Sequence, residues 1–136
     1  MTLPLPFGPA GLDPAEVWSV SDLNQAARGL LEQAISHDPN YAIAYSYVGL
    51  WYVFRIGEIG SPDPDGDAVA GSRYAAEAIE RGGDDAFALA LYGHAQSFLL
   101  HDLQKGKNVL ERAIAACPSS AMAWTMFVII FVFLRF

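Results

Sequence analysis

Apolar residues recur along this chain every three or four positions, the period of an amphipathic helix. After the start signal Ser21, the residues Leu23, Ala26, Ala27, Leu30, Leu31, Ala34 and Ile35 keep that spacing and predict a helix over about 22–36. His37-Asp38-Pro39-Asn40 stops it, because proline disfavours the helical state in the residue before it. A second helix, about 40–56, is rich in aromatics: Tyr41, Tyr45, Tyr47, Trp51, Tyr52 and Phe54. Gly57–Gly66 reads as a loop of Gly, Pro, Ser and Asp. A third helix, about 67–81, carries Ala70, Tyr74, Ala75, Ala78 and Ile79 on its apolar side and stops at Gly82-Gly83. A fourth, about 84–100, opens with Asp84 and Asp85 at the positive end of the helix dipole. A fifth, about 102–116, halts at Cys117-Pro118, and a sixth runs from Ser119 or Ser120 to the last residue. Ahead of all six, residues 1–20 read as an irregular lead-in. Within it Asp13-Pro14-Ala15-Glu16 has capping-box spacing and can start a short helix through about Trp18. The apolar run Val128–Leu134 suits a strand when taken alone, but its context is helical, so the expected class is all-α.

The pattern repeats. Ala34-Ile35, Ala78-Ile79 and Ala113-Ile114 are each followed, seven residues after the isoleucine, by Ala42-Ile43-Ala44-Tyr45, Ala86-Phe87-Ala88-Leu89 and Ala121-Met122-Ala123-Trp124. Such a period signals stacked helix pairs that bury a core between neighbours. Within the first helix of each pair, Tyr45, Val48, Gly49 and Tyr52 align with Leu89, Tyr92, Gly93 and Gln96, and with Trp124, Phe127, Val128 and Phe131. Small residues stand at the matching place of the other helices, Ala27, Gly71 and Gly106, where two backbones would cross closely. Pro39 and Pro118 close two of the units, and Gly83 takes that place between them.

These motifs resemble the tetratricopeptide repeat, over residues 21–136. The resemblance implies a right-handed α-solenoid of about six helices and three repeats, the last without its covering helix, acting as a protein–protein interaction scaffold. It also implies that a peptide or partner domain binds the inner face of the first helices. By register that face holds Ile43, Ser46, Leu50, Val53, Phe87, Ala90, His94, Ser97, Met122 and Thr125. The face lacks the Lys, Arg and Asn that a groove for a terminal carboxylate would need. A narrower likeness rests on Gly93-His94-Ala95, Phe98-Leu99, Leu110-Glu111-Arg112-Ala113 and Pro118-Ser119-Ser120-Ala121-Met122-Ala123-Trp124. These look like the repeat region C-terminal to bacterial class III adenylate cyclase domains and winged-helix regulators. That likeness implies a bacterial signalling or regulatory context and offers an alternative function, a non-catalytic regulatory remnant.

Composition and charge narrow the chemistry. Hydrophobic residues make up 53% of the 136, too many for a disordered segment. The net charge of −7 argues against nucleic acid, whose phosphates want a basic stripe. A lone cysteine, Cys117, allows no internal disulfide and fits a reducing, cytoplasmic setting. Residues 1–7 have neither a basic region nor a long apolar run, so no secretory signal is expected. Asp63-Pro64-Asp65-Gly66-Asp67 starts like a calcium loop, but Ala68 and Tyr74 stand where such a loop needs glycine and glutamate, so it reads as an acidic turn capping the next helix. His94 and His101, seven apart on one predicted helix face, have no third ligand at metal spacing. No nucleophile elbow or phosphate-binding loop is present, so the expectation is no enzyme, no metal and no cofactor. The sixth helix is apolar all round from Met126 to Leu134, a composition of helices that are buried or in a membrane. Three readings follow: an uncovered core helix, a homo-oligomer contact, or a short membrane anchor.

Overall fold

A computed structural model of the chain describes residues 20–133, and the short helix expected near Asp13–Trp18 lies outside them. Among the described residues there is no strand. Six helices follow in order: α1 (Val20–His37), α2 (Ala42–Phe54), α3 (Pro64–Gly82), α4 (Ala86–His94), α5 (Leu103–Ala116) and α6 (Ala121–Phe133). Five-residue π-helical turns, Arg55–Ile59 and Ala95–Leu99, prolong α2 and α4.

The starts are set by side chains that accept from orphan backbone N–H groups. Asp63 accepts from Gly66 N, Asp85 from Ala88 N, Asp102 from Lys105 N, and Ser120 Oγ from Ala123 N. Asp63, followed by Pro64 at the first helical position, begins α3 three residues earlier than expected. With the π-helical turn extending α2, the expected loop Gly57–Gly66 shrinks to Gly60–Asp63. Gly83, at φ 78°, ends α3, because glycine enters the left-handed region without steric penalty.

Each helix packs on the next in the chain, and α2 also meets α4, as α4 meets α6. Among the described residues, nine of the seventeen buried hydrophobic ones are alanine, so helices come together at short range. The main core joins α4, α5 and α6 through Leu89, Ala90, Val109, Leu110, Ala113, Ala123 and Ile130. A smaller cluster of Tyr45, Ala78 and Ala88 joins α2, α3 and α4.

Two helix crossings share one construction. Gly49 of α2 meets Gly71 of α3, where an added Cβ on Gly49 would stand 3.3 Å from the Gly71 carbonyl oxygen. Gly93 of α4 meets Gly106 of α5, where a Cβ on Gly106 would stand 2.9 Å from both the Gly93 carbonyl oxygen and the Ser97 nitrogen. Ala27, expected at a third crossing, is instead exposed: it lines an open groove between α1 and α2, facing Tyr47, Leu50, Trp51 and Phe54, so the two backbones do not close on each other there. Leu30, assigned to the apolar face of α1, is likewise 67% exposed. α1 is held by Ile35, which packs against the smaller cluster, and by polar and cation–π contacts: Trp51 Nε1 donates to the Asn24 carbonyl at 2.8 Å, and the Arg28 guanidinium lies 4.9–5.4 Å from the rings of Trp51, Tyr52 and Tyr74.

Candidate functional site

The ten residues assigned by register to one inner face occupy several surroundings. Leu50, Val53 and His94 line one groove of about 280 Å³ together with Phe54, Ile56 and Phe98. Ile43, 54% exposed, and Ser46 line a second groove beside Ala78 and Ala88. Thr125 lies in a third, along α6. Met122 packs against the main core, and Phe87 rests on Tyr47 with ring centroids 5.4 Å apart. Ser46, Ala90 and Ser97 are buried, Ala90 within the main core, so they offer almost no surface to a partner. The reason is the close packing of α3, α4 and α5, which covers those positions.

The first groove is built from matching positions. Leu50 and Phe54 near the end of α2 correspond, 44 residues on, to His94 and Phe98. His94 ends α4 and Phe98 lies in the π-helical turn that follows, a local widening that recurs at functional sites, whereas Leu50 and Phe54 lie within α2, ahead of its own turn. His94 stacks on Phe98 with centroids 5.3 Å apart and planes 12° from parallel. Its Nδ1 is buried without a hydrogen-bond partner. Burial disfavours the charged ring and pushes its pKa below the ordinary histidine value. The groove therefore presents hydrocarbon and aromatic surface, the unpartnered His94 Nδ1 being itself buried, and no charged side chain lines it among the described residues.

Phe98 and Phe54 escaped the register argument. Their signal was the i, i+4 spacing to His94 and Leu50, which places them on the same helical stripe. Gln96, aligned in the repeat with Tyr52 and Phe131, has a partner that the alignment did not indicate: its Nε2 donates to Ser72 Oγ at 2.6 Å within the buried contact between α3 and the π-helical turn after α4. His94 and His101 do not share a helix face. His101 lies in the link after the π-helical turn with φ 61°, a left-handed conformation more accessible to histidine than to most residues. Among the described residues no three His, Cys, Asp or Glu side chains gather as a metal would require. The acidic stretch at Asp63 is occupied in capping α3, and Asp67 pairs with Arg55 at 3.5 Å. Among the described residues no helix is long and apolar enough to cross a membrane.

No family model, curated protein or solved structure matches the chain.

Proposed function

We propose that this chain is a tetratricopeptide-type α-solenoid whose inner-face groove binds a partner protein in bacterial signalling or regulation, without catalysis of its own. The observation that carries the reading is the uncharged groove made by equivalent positions of two aligned helices, Leu50 and Phe54 with His94 and Phe98. Two further regularities support the repeat. The glycine crossings Gly49–Gly71 and Gly93–Gly106 fall in the sequence register. The turn residues also follow it: Tyr45 Oη donates to the Pro39 carbonyl at 2.8 Å, and Trp124 Nε1 donates to the Pro118 carbonyl at 2.9 Å, each six residues on. Where Gly83 replaces the proline, Leu89 replaces the aromatic donor.

An apolar, uncharged groove on an acidic protein selects a partner segment that presents aliphatic or aromatic side chains, not an acidic tail. The test is affinity capture from the native cell with wild type and Val53→Glu as baits, after circular dichroism has verified that both fold. A partner held by wild type and lost from Val53→Glu is the expected result. Equal capture by both baits, or none by either, overturns the groove as the binding site.

A further inference from the structure

We propose that α6 is a self-association surface, through which two copies of this chain pair about a two-fold axis near Val128. The surface is open among the described residues. Trp124, Val128, Phe131 and Val132 are 44–61% exposed. Trp124, Val128 and Val132 form an i, i+4, i+8 ridge, and a groove of about 460 Å³ runs between that ridge and Thr125 and Ile129. A ridge beside a groove of the same pitch is what one helix offers another of its kind.

Three observations select a second copy as the occupant. First, Val128 stands at the register position of Gly49 and Gly93. Those glycines admit the backbone of a following helix, and a β-branched residue there bars so close an approach. Any helix packed on this face of α6 is therefore held at side-chain distance, about 8–10 Å between axes. Second, the ridge complements itself. An antiparallel pairing centred on Val128 sets the large Trp124 of each copy across from the small Val132 of the other. Trp124 is held ready for this by its hydrogen bond to the Pro118 carbonyl and its edge-on contact with Phe127. Third, no residue of α6 is charged, although the chain as a whole carries −7. Pairing through α6 buries no charge, and the −7 on each copy works against association, in keeping with a weak dimer.

The area sets the strength. The four exposed side chains leave roughly 300–400 Å² per copy in water. Two copies then bury about 700 Å², below the roughly 1,200–2,000 Å² of a stable interface. The dimer is accordingly weak and depends on concentration.

Sedimentation equilibrium of the 136-residue chain from about 10 to about 500 μM tests this, a range that spans dissociation constants typical of small interfaces. Wild type is expected to shift from monomer to dimer across the range. Val128→Glu and Val132→Glu, both at exposed positions, should weaken association at least about tenfold while keeping the wild-type helical circular dichroism. Leu30→Glu, at an exposed apolar position on α1, should leave it unchanged. A wild-type chain monomeric throughout, assemblies that grow beyond a dimer, recovery only in detergent, or a loss with Leu30→Glu equal to that with Val128→Glu would each overturn the proposal.

Discussion

Gly106 and Gly49 occupy equivalent roles at helix crossings, yet their surroundings differ. A methyl on Gly106 would press on backbone, at 2.9 Å from the Gly93 oxygen and the Ser97 nitrogen, and backbone cannot move aside without shifting a helix. A methyl on Gly49 would meet the Gly71 oxygen at 3.3 Å, a tight contact that small shifts absorb. Alanine also gains about 1 kcal/mol of helix propensity over glycine. Gly106→Ala should therefore lose about 1–3 kcal/mol net, and Gly49→Ala should be close to neutral, as read by thermal melts of both variants. Equal melting temperatures for the two would contradict the geometry. His94 makes a second prediction at this scale. Its pKa is lowered in the folded chain because the charged ring is poorly hydrated there. The unfolded chain then binds the extra proton more readily, so stability is greatest above the unfolded histidine pKa of about 6.5 and falls as pH drops below it. Urea melts at about pH 7.5 and pH 5.5 should show this loss in wild type and a smaller one in His94→Phe.

Helix boundaries came from short local signals, and the structure honours most of them. Asp85 and Ser120 accept at the starts of α4 and α6, and glycine or proline lies beyond the ends of α3 and α5. The π-helical turns are a different matter. Gly60 N and Leu100 N each bond five residues back, to Arg55 and Ala95. In the second turn Ser97 Oγ donates to the Gly93 carbonyl at 2.8 Å, giving that oxygen a side-chain donor. Nothing in the spacing of apolar residues distinguishes such a turn from an α-helix, since the residues are the same and only the bonding partner changes. The turn between α1 and α2 offers an element-scale test. Tyr45 Oη and Arg81 Nε both donate to the Pro39 carbonyl, at 2.8 and 2.9 Å, tying the turn to α2 and α3. Tyr45→Phe keeps the ring against Tyr74 and deletes one hydrogen bond, so it should lose about 0.5–1.5 kcal/mol in denaturant melts. No measurable change would mean the bond is replaced by water without loss.

At the scale of the whole molecule, the helical class was legible because local rules produce it. Period, caps and stops each act within a few residues, and the repeat of Ala-Ile followed by Ala-x-Ala reports the packing surface three times. The small crossing residues Gly49, Gly71, Gly93 and Gly106 were legible for the same reason, since a missing side chain in an otherwise apolar stripe marks a close backbone approach. Which of the ten inner-face residues stay reachable was not legible. Ser46, Ala90 and Ser97 share a register with Leu50 and His94, and only the arrival of neighbouring helices buries the first three. Ala27 shows the converse: it matches Gly71 and Gly106 in the sequence, but it is exposed on an open groove against α2 and not closed in a tight crossing. Local signals alone predicted the order and approximate limits of the six described helices and marked the glycines able to pass close to one another. The tertiary structure decided which faces close, that Arg28 docks α1 onto aromatic rings, and that Leu50, Phe54, His94 and Phe98 meet in one groove. Local structure depends on neighbours a few residues away, whereas burial and grooves depend on contacts between segments tens of residues apart, which no spacing rule within one helix contains.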